Sequence, residues 1–130
     1  MAWVAVAGPS GAGKDTLLAG ARALLADEPR IHFARRTITR PADAGGEAHE
    51  HLPEHAFAAA GMLLEWRAHG WRYGIRRAEA ARAPVVVMSL SRTVLSQAAA
   101  LHPLLVVEVT APPALLAARL AARGREDSAA

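Results

Sequence analysis

GPSGAGKDT, residues 8–16, follows directly on the apolar run AWVAVA at residues 2–7. Gly8, Gly13 and Lys14 fit the pattern Gly-x-x-x-x-Gly-Lys, with Pro9, Ser10, Gly11 and Ala12 between the glycines. In that pattern backbone N–H groups cradle phosphates and the lysine reaches the outer ones. Gly8, Gly11 and Gly13 let the N–H groups turn inward into an anion nest. The next position should carry a Ser or Thr hydroxyl for magnesium. Here it carries Asp15, and Thr16 follows. Asp15 has three readings. It favours the positive end of a helix, it marks a damaged site, or its carboxylate replaces the missing hydroxyl on the metal, directly or through water.

The surroundings suit a working loop. Residues 3–7 read as a buried strand stopped by Gly8. Residues 16–28 place Leu17, Leu18, Ala21, Leu24 and Leu25 at helical spacing. Strand, glycine loop and helix are the context such a loop requires, and the helix adds its positive end. Lys14 is the single lysine among 15 Lys plus Arg residues, so an ammonium is kept where the chain otherwise uses guanidinium.

Further on, residues 31–39 predict one strand, and PADAGGEAHEHLPEH, residues 41–55, reads as loop-like. Residues 54–60 predict a short helix, and 62–66 and 71–75 two strands joined around His69-Gly70. A helix is expected over 76–83, a buried strand over 84–90, and a helix over 91–102 with Ser91 as its cap. Residues 104–109 predict another buried strand and 112–123 a helix with Pro113 in its first turn. This alternation predicts an α/β chain, with helices on both faces of a parallel central sheet.

At 130 residues the chain is one domain by length, and 52% hydrophobic residues argue against disorder. A net charge of +3 suits an anionic partner, nucleic acid or phosphorylated small molecules. Trp3, Trp66 and Trp71 offer no stacking series for single strands, and no nucleic-acid module is recognisable. There is no cysteine, no apolar run near the ~20 residues of a membrane span, and no signal peptide at the N-terminus. We therefore expect a cytoplasmic protein with no membrane partner.

Three other segments carry chemistry. Arg35, Arg36 and Arg40 cluster in RRTITRPADAGGE, with Glu47 after them, and arginine forks suit phosphate. LLEWRAHGWRYG offers Glu65, Trp66, Tyr73 and Gly74 for a pocket. RLAARGRED places Arg119, Arg123 and Arg125 at a helix end, where arginines can clamp a transferring phosphoryl group. Each has a bland alternative: solvated arginines, hairpin packing, and favourable charge at a helix C-terminus. HEHLPEH spaces His51 and His55 like zinc ligands, but Pro53 breaks the helix that would align them.

Taken in order, the loop, the T-R-P turn with its Gly-Glu, the Glu-Trp…Tyr-Gly segment and the Arg-Gly-Arg end resemble the guanylate kinase-like branch of phosphate-loop kinases. GPSGAGKD, RRTITRPADAGGE followed by His49, and RGRE are most similar to the ribose 1,5-bisphosphate phosphokinases of phosphonate breakdown. The resemblance covers nearly the whole chain. It implies a three-layer fold with an acceptor-binding insertion at about residues 35–76 and an arginine lid from about residue 119. It implies that ATP phosphates lie on residues 8–16 and Mg²⁺ on Asp15 and Thr16. Arg36, Arg40, Glu47, Glu65, Tyr73 and Gly74 would face the acceptor, and Lys14, Arg119, Arg123 and Arg125 would serve catalysis. The implied reaction takes ATP and ribose 1,5-bisphosphate to 5-phosphoribosyl 1-diphosphate and ADP. A homodimer is left open.

Guanylate kinases carry an acid at the end of the third core strand, where this chain has Val87-Met88-Ser89-Leu90. They also carry a second arginine where Asp43-Ala44 stands. Both departures speak against a guanine nucleotide as acceptor. Family members continue beyond the lid, so a fragment or a short member is expected. The rival readings are a nucleoside monophosphate kinase and a catalytically silent nucleotide-binding or interaction module.

Overall fold

The structure is a computed structural model and describes residues 1–9, 12–41 and 49–129, with side chains described as far as Ala122. The apolar N-terminal run forms β1 (Ala2–Ala7), and the residues behind the glycine loop form α1 (Lys14–Leu24). The strand ends at Gly8 because the chain runs there against a neighbour. Val109 N–H donates to Ala7 O at 2.8 Å, and a Cβ on Gly8 would stand 2.3 Å from Val109 O. No larger residue fits that approach.

Residues 31–39 do not form one strand. They divide into β2 (Ile31–Phe33) and β3 (Arg36–Ile38), which lie in different sheets. Ala34 N–H still bonds Val87 O at 2.8 Å, in line with β2, whereas Arg36 is already registered against Ile75. The buried Glu79 carboxylate takes the Arg35 N–H between them. No glycine or proline marks this switch, so periodicity could not reveal it.

The expected loop after Pro41 contains β4 (Glu50–His51), which pairs parallel with β3. Then come α2 (Glu54–Ala60), β5 (Met62–Ala68) and β6 (Trp71–Arg76). The β5–β6 turn has His69 at φ 54° and Gly70 at φ 80°, the left-handed pair of a two-residue hairpin. The helix expected over 76–83 is only α3 (Arg77–Ala80). Trp3 Nε1 donates to the Ala80 carbonyl at 3.3 Å, and Pro84 turns the chain into β7 (Val85–Ser89). Ser91 caps a 3₁₀ turn, Arg92–Val94, by accepting from Thr93 N–H, and α4 (Leu95–Leu101) follows. The chain continues through β8 (Leu104–Glu108) to α5 (Pro113–Ala129).

The main sheet is parallel, in the order β2-β7-β1-β8. The second has the order β4-β3-β6-β5, with β6 antiparallel to both β3 and β5. One core joins them: Ala5, Val86 and Met88 of the first sheet cluster with Leu64 and Ile75 of the second. Burying each of the larger of these, Val86, Met88, Leu64 and Ile75, is worth about 1.5–3 kcal/mol relative to exposure. The expectation that 104–109 is buried is overturned. β8 is an edge strand, and Leu105 is 64% and Val106 46% exposed.

Candidate active site

Two groups of residues meet at the C-terminal ends of the parallel strands, where open α/β sheets bind ligands. The first is the loop. Gly13 adopts φ 90° at the start of α1, which releases the chain into the helix. Lys14 opens α1, and Asp15 and Thr16 follow, both exposed. Ala12 N–H bonds Pro9 O at 3.2 Å, which tightens the loop. Arg119, on α5, brings Nη1 to 3.8 Å from the point where a Cβ on Gly13 would stand. The expected lid arginine therefore lies over the loop glycine. Ser10, Gly11 and Glu47 lie outside the described residues, as do the side chains of Arg123 and Arg125.

The second group is a cavity beside α1, lined by Leu18, Phe33, Arg35, Arg36, His49 and Ser89 among others. Arg36 Nη2 donates to His49 Nε2 at 3.1 Å, and its guanidinium carbon lies 5.7 Å from the centre of the Tyr73 ring. Arg35 Nη2 donates to His49 O at 3.1 Å. Burial, then the charges of Arg36, Arg40 and His51, lower the pKa of His49 to about 4, with Asp15 acting weakly the other way. His49 is therefore neutral at pH 7. A guanidinium can only donate, so Nε2 accepts and the ring proton sits on Nδ1. The opposing pull of Asp15 places the loop carboxylate within electrostatic reach of this pocket. Arg40 adjoins it, its carbonyl held by His51 Nδ1 at 2.9 Å.

The structure does not bring all the expected acceptor residues together. Trp66 pairs with Tyr73 and Glu65 with Gly74, so strand alternation puts the two pairs on opposite faces. Tyr73 lies on the inner face, stacked on Trp66 at 5.7 Å and beneath Arg36. Glu65 lies on the outer face, where Arg72 holds both its oxygens at 3.3 Å and Glu54 at 3.1 Å. Gly74 serves packing there: a Cβ would stand 2.5 Å from Met62 and 3.0 Å from Phe57. The acceptor role expected for Glu65 and Gly74 thus lacks the inward placement that Arg36 and Tyr73 have.

In the sequence Ser89 stands only where guanylate kinases carry an acid, and His49 only closes a family-like segment, so neither is legible there as a cavity residue. For Ser89 the available signal was its place as the first polar residue of VVVMS, at a carboxyl end of a parallel strand. Among the described residues no three His, Cys, Asp or Glu side chains gather as a metal cluster, and no helix is long and apolar enough to cross a membrane.

No family model matches the chain. It is 47% identical to the ribose 1,5-bisphosphate phosphokinase PhnN of Acidiphilium cryptum, over 97% of this chain and 71% of that protein. It is 51% identical to the PhnN of Methylobacterium radiotolerans, over 94% of this chain and 73% of that one. The chain belongs to the ribose 1,5-bisphosphate phosphokinase family. It also matches the bifunctional ribose 1,5-bisphosphokinase-thymidine phosphorylase of Azorhizobium caulinodans at 51% identity, over 93% of this chain and 19% of the longer protein. The guanylate kinase of Anaplasma phagocytophilum superposes with a TM-score of 0.67 at 12% identity, covering 95% of this chain and 65% of that one. At that identity the likeness establishes the fold. Phosphokinase relatives thus share the sequence, and a guanylate kinase shares the α/β architecture with its parallel four-stranded sheet.

Proposed function

We propose that the chain carries the ribose 1,5-bisphosphate phosphokinase reaction of phosphonate catabolism in the cytoplasm, with ATP as donor. An oxygen of the acceptor's 1-phosphate bonds to the γ-phosphorus, the bond from that phosphorus to the β-bridging oxygen breaks, and ADP leaves with the electron pair. The product is 5-phosphoribosyl 1-diphosphate. The observation that carries this reading is the cavity of Arg35, Arg36 and His49 opening beside a glycine loop that Arg119 overlies. One side suits a donor triphosphate and the other an acceptor phosphate.

No protein nucleophile is needed, because the acceptor oxygen is already anionic. Positioning and charge neutralisation carry the rate. Residues 8–16 hold the donor phosphates through backbone N–H groups and Lys14. Arg119, with Arg123 and Arg125, neutralises the transferring group and excludes water. Arg36 and Arg40 hold the acceptor in line, and Tyr73 supports Arg36 from below. The exposed Asp15 carboxylate and Thr16 hydroxyl are hard oxygen donors at the start of α1, which suits Mg²⁺. When bound there, Mg²⁺ would offset phosphate charge.

The test is ADP release with ribose 1,5-bisphosphate, GMP and other monophosphates offered as acceptors. Preference for ribose 1,5-bisphosphate is expected, and preference for GMP would return the chain to the nucleotide kinases. Lys14→Ala should lower kcat about 10²–10³-fold, as loss of one transition-state donor does. Its melting temperature should match wild type. Undiminished turnover in that variant would remove Lys14 from the mechanism.

A further inference from the structure

We propose that Ser89 is a specificity-determining residue that hydrogen-bonds a ribose hydroxyl of the acceptor. This rests on the function proposed above. Ser89 is the last residue of β7 and lines the same cavity as Arg35, Arg36 and His49. Its Oγ is buried and has no hydrogen-bond partner among the described residues. Buried hydroxyls are nearly always bonded, so an unpartnered one on a residue that lines a cavity at a strand's carboxyl end points to a ligand.

The chemistry of the surroundings selects the ligand group. Arg35 and Arg36 are permanent cations suited to phosphate. Ser89 is neutral and can both donate and accept, which complements a hydroxyl. His49, neutral and fixed by Arg36, adds no charge to this patch. A carboxylate at position 89 would repel a sugar carrying two phosphates, whereas a hydroxyl leaves the anions to the arginines. Ser89 therefore reads the neutral part of the acceptor, and the arginines read its ends.

The experiment compares wild type, Ser89→Ala and Ser89→Asp, with ribose 1,5-bisphosphate and its 2-deoxy and 3-deoxy analogues as acceptors. Ser89→Ala should lower kcat/KM for the ribose compound about three- to tenfold, the loss of one neutral hydrogen bond. It should leave kcat/KM unchanged for the analogue that lacks the bonded hydroxyl. Ser89→Asp should depress all three acceptors. Equal losses for the ribose compound and both analogues, or no loss for any, would overturn the proposal and leave Ser89 a residue that holds only water.

Wild-type turnover with ribose 1,5-bisphosphate tests the function separately. Calorimetric titration with ribose 5-phosphate and its 2-deoxy and 3-deoxy forms reads the Ser89 contact without turnover. In Ser89→Ala, weaker binding of the ribose form and of the one deoxy form that keeps the bonded hydroxyl, with the other deoxy form unchanged, supports the contact; unchanged or equally weakened binding of all three refutes it. Melting curves check that both variants fold.

Discussion

At the scale of single residues, the acceptor pocket depends on a histidine kept neutral among cations. His49 accepts from Arg36, and its burial and the neighbouring guanidiniums hold its pKa near 4. Protonating it would set a cation against Arg36 and break the hydrogen bond. Between the ordinary histidine value of 6.5 and about 4, the unfolded chain binds a proton here that the folded chain refuses. The stability contributed by His49 is complete above that window and declines as pH falls through it. Glutamine keeps an acceptor for Arg36 and has no such titration. The melting temperature of His49→Gln should therefore fall less than that of wild type between pH 7 and pH 5. Parallel curves for the two proteins would show that position 49 contributes nothing to the acid sensitivity. Lys14 and Gly13 were legible as site residues because their spacing is itself the motif. His49 was not, because its role comes from Arg36, thirteen residues away in sequence and adjacent only through the β3–β4 pairing.

At the scale of elements, the decisive feature is the passage from β2 to β3. A continuous apolar-polar run promised one strand, but Glu79 of α3 divides it. That carboxylate accepts from Arg35 N–H and bonds His32 Nε2 at 3.1 Å, with Arg82 at 3.5 Å. It fixes the point where the chain leaves the main sheet, and so fixes where Arg35 and Arg36 enter the cavity. Glu79→Ala would strand a backbone N–H close to the core. We expect a loss of about 1–3 kcal/mol in urea unfolding. Glu79→Gln retains an acceptor and should lose less. Equal stability of the alanine variant and wild type would mean that β2 and β3 part for another reason. The same scale explains the fate of Glu65. The sequence pair Glu-Trp…Tyr-Gly was readable, but hairpin register sends Glu65 and Tyr73 to opposite faces.

At the scale of the whole molecule, the two sheets share one core while β8 stands at its margin. Parallel strands are ordinarily covered on both faces. β8 instead exposes Leu105, Val106 and Val107, and it pairs only with β1 among the described residues. Exposed apolar strand edges invite association. The 130-residue chain should therefore show concentration-dependent association in sedimentation velocity, and Leu105→Lys should reduce it. A chain that stays monomeric at every concentration would show that the edge is tolerated in water.

The sequence by itself determined the strand, loop and helix of the phosphate site, the α/β alternation and the arginines available for anions. These are local properties, written in residue spacing and in the reach of neighbouring backbone groups. Tertiary structure alone decided which of those residues share a cavity. The division of residues 31–39 between two sheets, the inward turn of Tyr73 and outward turn of Glu65, and the meeting of Ser89 with Arg36 and His49 all depend on register between distant segments. Register is set by which apolar faces bury together, and a one-residue change in it exchanges the two faces of a strand.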